Sequence, residues 1–188
     1  MENYAEKSAI YVKSYRQLSL FLGIGTFVVA VITIFMYSTN PLDEAMAKNG
    51  NYDVFLFFML IVFGSALTFL RIRAKRYYKP ENVKMAWYDN AKDENNNPIA
   101  DSDIRSLRLI QQQLLLEVFI LEGLAIVGLT LGMVLAMGGE MHASYLDVLF
   151  FVPALFHFGH VFSNRDISPK IESLYKKSVE HVVKDLKI

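Results

Sequence analysis

Four ionisable side chains stand in apolar surroundings: Glu117 and Glu122 within a run covering 114–137, and His157 and His160 within a run covering 145–162. A charged group at the centre of a membrane-spanning helix costs on the order of 2.5–3.5 kcal/mol, so each must find protein, water or an opposite charge. Carboxylate and imidazole together offer three chemistries. They can satisfy one another and fix helix packing. They can pass a proton, with Glu122 titrating and His157 relaying. Or they can ligate one metal ion, because His157 and His160 have the His-x-x-His spacing of one helical face and Glu122 supplies an oxygen.

Depth narrows these options. The two runs are joined by the short link 138–144, so they are expected to fold back as an antiparallel pair. Glu122 then matches His157, and Glu117 matches His160. Glu117 and Glu122 lie about 140° apart on a helix, whereas the two histidines lie about 60° apart, so both histidines can face one side but both carboxylates cannot. Glu122–His157 is therefore the expected pair. Glu117, nearer the interface, is expected to snorkel or to pair with Arg165. A bis-histidine haem does not fit, because His142 and His181 fall outside the runs and the other two histidines share a helix. Asp147, close to the outer end of its run, reads as an interfacial or capping residue.

The elements that must position these groups are membrane spans. Apolar runs at about 18–37, 54–70, 114–137 and 145–162 are each long enough, or nearly so, to cross about 30 Å of hydrocarbon as helix. The first has no small-residue cleavage site before Tyr37 and is expected to stay as an anchor. Residues 9–17 form an amphipathic lead-in to it. Asn40-Pro41 and Asn49-Gly50 mark a turn-rich link, and the second span stops on Arg71, Arg73, Lys75 and Arg76. A short helix through Trp87 and a loop around Asp93-Glu-Asn-Asn-Asn-Pro98 follow. A capping side chain at Asp101 or Ser102 restarts a helix that runs on into the third span, and Gly138-Gly139 ends it. Ser168-Pro169 opens a basic amphipathic segment, 168–188, whose apolar stripe is expected to lie on lipid headgroups, on the protein itself or on a partner.

The fold class expected is thus all-α: one integral membrane domain over 1–188, built of two antiparallel transmembrane hairpins, with a cytoplasmic linker at 71–113 and amphipathic helical extensions. Of 19 lysines and arginines, Lys48 alone falls in an alternate loop. That asymmetry places both termini and the long middle segment in the cytoplasm, or in a matrix or stroma. Under one common displacement Gln17 falls on Gln111, Asp53 on Asp147, Phe57 on Phe151 and Arg71 on Arg165, the pattern of a parallel duplication. The same displacement sets Glu117, Glu122, His157 and His160 against Gly23, Val28, Phe63 and Ala66, so only the second half carries ionisable groups within its spans.

The segment from Leu114 through Glu122 to Leu129 is similar to the carboxylate-bearing helix of rotary ATPase rotor-ring subunits, which would make Glu122 an ion-binding acid. The resemblance ends there: no glycine-repeat helix beyond Gly23 and Gly25 accompanies it, and no short polar loop joins the hairpins.

With 53% hydrophobic residues and zero formal charge, the chain has no basic excess to neutralise phosphates, and no nucleic-acid partner is expected. Zero cysteines exclude disulfides and Cys-ligated metals. Phosphate-binding glycine loops, nucleophile elbows and zinc-protease motifs are missing, so an independent enzyme is not expected. The expected function is a non-catalytic accessory subunit of a larger membrane complex, with the bilayer and other membrane subunits as partners. The alternative is a small ion or proton transporter, or a metal-binding subunit, using Glu122, His157 and His160. No cofactor is required, and a single metal ion is the one these residues could hold.

Overall fold

A computed structural model of the chain describes residues 2–39, 51–92, 97–140, 145–164 and 166–186. The turn signals at Asn40-Pro41 and Asn49-Gly50, residues 93–96 and 141–144 with His142, and Arg165 lie outside the described residues.

The described residues are helical almost throughout: α1 (Glu2–Thr39), α2 (Tyr52–Tyr77), α3 (Pro80–Asp89), α4 (Ser102–Met137), a 3-10 segment (Tyr145–Phe151) running into α5 (Val152–Ser163), then α6 (Ser168–Leu174), a π segment (Tyr175–Val179) and α7 (Glu180–Leu186). Four stretches are long and apolar enough to cross a membrane, which is consistent with an integral membrane protein whose helices meet lipid. The third is the organising one. In its most apolar window 44% of the residues are buried, against 6% for α2.

Local chemistry sets the ends of α4. Asp101 Oδ1 accepts the backbone N–H of Asp103 at 2.8 Å and faces that of Ile104 at 3.4 Å, capping two of the donors that a helix start leaves free. At the other end Gly139 has φ 70°, and the N–H groups of Gly139 and Glu140 return to the carbonyls of Ala136 and Leu135. This double return needs a left-handed residue, which glycine adopts without a Cβ clash.

The chain divides into two compact units. One comprises Ser19–Thr68 and Val118–Ser163. Here α1 buries a stripe of small residues, Ser19, Gly23, Thr26, Ala30 and Thr33. Between helices already surrounded by hydrocarbon the hydrophobic effect adds little, so close van der Waals approach of small residues does the packing. Ala30, Ala125, Leu129 and Ala154 form one cluster, and Tyr52, Leu135, Ala136 and Phe150 another. Gly128 permits the tightest approach, since a Cβ there would stand 2.7 Å from the Phe150 carbonyl oxygen and 3.2 Å from Pro153 Cγ. Within this unit α2 makes aromatic edge contacts, Tyr52 on Phe150 at 5.7 Å and Phe63 on Phe156 at 5.6 Å, and Phe55 and Leu56 pack against the second cluster.

The other unit holds the residues up to Leu18, Phe69–Glu117 and those from Asn164 onward. Its core includes Tyr15, Val83, Leu107, Leu109, Ile110, Leu114 and Ile167. Polar ties surround that core. Lys7 pairs with Asp101, Asn90 and Gln112 exchange amide hydrogen bonds at 3.0 and 3.2 Å, and the Arg105 guanidinium lies 4.7 Å from the Trp87 ring centre. Of the apolar stripe expected in the C-terminal segment, Ile171, Val179 and Val182 are buried by the protein itself while Leu174 and Leu186 are half-buried, and the π segment and α7 pack against α3.

Candidate functional site

Packing contacts fix which residues share a depth within the Ser19–Thr68 and Val118–Ser163 unit. A side chain at Gly23 would meet Val161, and Phe27 packs edge-on against Phe158 with ring centres 6.5 Å apart. Thr33 Oγ1 donates to the Leu129 carbonyl at 3.3 Å. Gly128 approaches Phe150 and Pro153, and Gly132 approaches Phe150. Stepping from these contacts puts Thr26, Glu122 and His157 within about one helical turn of depth, roughly 5.4 Å.

Burial then separates them by azimuth. His157 sits centrally in the packed arc of α5, between Ala154 and Val161, and is fully buried. Among the described residues neither Nδ1 nor Nε2 has a hydrogen-bond partner, so the Glu122–His157 bond expected from the register is not formed. Glu122 falls at the margin of the α4 arc made by Val118, Leu121, Ala125 and Leu129, and is half-buried. His160, about 60° round α5 from His157, is also half-buried. The metal set expected from His157, His160 and Glu122 is not assembled. Among the described residues no three His, Cys, Asp or Glu side chains come together as ion ligands. Burial gives the reason: Glu122 and His160 occupy the rims of their packed arcs while His157 occupies the centre of its own.

Thr26 adds a group the sequence reading did not single out. Its Oγ1 is buried, without a hydrogen-bond partner among the described residues, and at the same depth. The signal was present in the small-residue spacing from Ser19 to Thr33. An unpartnered buried polar atom costs about 1–3 kcal/mol, so a hydroxyl and an imidazole left unpaired at one level form a polar layer inside an apolar bundle. A neutral imidazole offers one donor and one acceptor nitrogen, the equipment for holding or passing a proton.

Glu117 belongs to the other unit, where Lys170 Nζ lies 3.3 Å from its Oε2. Arg165, the partner expected for it, lies outside the described residues. Gln113, fully buried within α4, has neither amide atom partnered among the described residues.

A second polar centre lies where the spans begin and end. Asp147 is buried and accepts a hydrogen bond from Tyr52 Oη at 2.7 Å, with Tyr37 Oη at 3.4 Å from its other oxygen. Nearby in chain terms, the Asn51 N–H donates to Glu140 Oε2 at 2.6 Å. Asp147 is thus an interior acceptor joining α1, α2 and the 3-10 segment, where the sequence pointed to an interfacial or capping role.

Comparison of the chain with protein-family models, with characterised proteins and with solved structures returns no match.

Proposed function

We propose that this chain is a non-catalytic integral-membrane subunit of a larger membrane-protein assembly, of respiratory, oxygenase or transport type. In this reading it forms one membrane domain of two antiparallel hairpins, with the termini, the 71–113 linker and the amphipathic extensions on the cytoplasmic, matrix or stromal side. The observation that carries the reading is the one-sided packing of α2. Only 6% of its apolar window is buried, and Val54, Phe57, Phe58 and Ile61 are all exposed. Helices within a membrane gain stability by packing against other helices, and a span this poorly packed within its own chain has most of its circumference free for a neighbouring subunit. The test is isolation of the tagged protein from native membranes in mild detergent. Stoichiometric co-purifying membrane proteins are the expected result. A homogeneous particle containing this chain alone would defeat the reading.

The buried, unpaired His157 favours a second reading, in which Thr26, Glu122 and His157 carry a proton or small ion, with His160 beside them. Flux through liposomes containing the purified chain alone, abolished by Glu122→Gln in correctly folded protein, is the outcome that would replace the first reading with this one.

A further inference from the structure

At the charged end of α2 the last apolar turns meet the short helix α3 around a cavity of about 420 Å³. Its walls are of two kinds. Phe69, Ile72 and Met85 supply an apolar side, each about half exposed, and Arg73, Arg76 and Asp89 supply a charged side. Asn82 Nδ2 donates to the Arg76 carbonyl at 2.6 Å, which ties α3 to the end of α2 and holds the cavity open between them. Tyr77, also in the wall, is held by its hydroxyl donating to the Leu109 carbonyl at 3.0 Å.

Three arcs of α3 have separate tasks. Val83, Trp87 and Asn90 are buried, Asn82, Met85, Ala86 and Asp89 line the cavity, and Lys84 projects elsewhere and is exposed. Arg73 and Arg76 are one turn apart on α2 and point their charges to one rim. Neither is engaged in an ion pair among the described residues. Two guanidinium groups against one Asp89 carboxylate leave the cavity with one net positive charge.

We propose that this cavity binds one phospholipid whose headgroup carries a single net negative charge. Arg73 and Arg76 would take the phosphodiester, for which the guanidinium fork is well shaped, and Phe69, Ile72 and Met85 would take the upper part of an acyl chain. Location supports this occupant over a free anion. The apolar run of α2 ends at Leu70, so the cavity lies at headgroup depth, and a free phosphate would leave the apolar wall without contacts. The single net charge favours a phosphatidylglycerol-type lipid over zwitterionic ones.

The test uses the full chain in mild detergent, incubated with micelles containing phosphatidylglycerol, phosphatidylethanolamine or phosphatidylcholine, and native mass spectrometry to count retained lipids. One retained phosphatidylglycerol is expected, with little of the other two. Arg73→Gln with Arg76→Gln should lower retention roughly tenfold or more, and Lys84→Gln, which removes a charge outside the cavity, should not. Met85→Trp narrows the apolar side of the cavity with both arginines intact and should also lower retention, with helicity by circular dichroism confirming that each variant is folded. Equal retention of the zwitterionic lipids, unchanged retention in the arginine or Met85→Trp variants, or displacement by millimolar inorganic phosphate would overturn the proposal.

Discussion

Asp147 and His157 show two fates of a polar group placed in an apolar span. Asp147 receives the Tyr52 hydroxyl at 2.7 Å in a buried site, whereas the nitrogens of His157 receive nothing. Hydrogen bonds between membrane helices average about 0.6 kcal/mol and reach about 1.7, and a buried acceptor deprived of a donor sits at the upper end of that range. Tyr52→Phe should therefore lower unfolding stability in detergent by about 1–2 kcal/mol. Tyr37→Phe should cost much less, because its oxygen is 3.4 Å from Asp147 and the residue is exposed. Thermal unfolding of the two variants side by side checks the order, and an equal loss in both would show that the distances do not rank the bonds.

At the scale of the element, the start of α4 depends on a single carboxylate with two duties. Asp101 caps the helix and pairs with Lys7 from α1. The hydrogen bond from Lys7, followed by those from the backbone N–H groups of Asp103 and Ile104, holds the Asp101 carboxyl below its ordinary value of 3.8. A carboxyl with a lowered folded-state pKa binds its proton less tightly folded than unfolded. Its contribution is present well above 3.8 and is lost as pH falls through the lowered value. The pair is partly exposed, so solvent screens it and the cap is the larger effect. Asp101→Ala should cost about 1 kcal/mol at neutral pH, and Asp101→Asn, which still caps, should cost less. Both variants should lose the part of the acid-side decline that belongs to this group. Unfolding midpoints across a pH series, read as the difference between wild type and variant, provide the measurement.

For the whole molecule, the distribution of charge along the chain makes a prediction about sidedness. With four spans, a basic excess confined to alternate segments predicts that the 38–53 and 71–113 segments lie on opposite faces of the membrane. The chain contains zero cysteines, so single cysteines report position without background. Asn49→Cys should react with an impermeant maleimide added outside intact cells, and Asn95→Cys only after the membrane is opened. The reverse pattern would invert the orientation, and labelling of both from one side would remove a span.

What the amino-acid order determined is what depends on neighbours in the chain. Run length and apolarity specify four spans, Asp101 and Ser102 start α4, and the glycine pair at 138–139 stops it, because caps and turns are decided by a few adjacent residues. An expected depth was also legible, since helical rise is constant: it sets Glu122 level with His157, and Gly128 stands beside Pro153 on the same two helices. Azimuth was not. A rotation of a few tens of degrees about a helix axis separates a buried His157 from a half-buried Glu122, and that angle is set by which small residues let the backbones approach. The same cause makes Asp147 buried while Asp53, its match in the duplicated pattern, stays exposed. Part of the C-terminal apolar stripe, Ile171, Val179 and Val182, is buried by the chain's own helices, an outcome that periodicity alone leaves open because lipid, partner and protein all offer the same apolar contact.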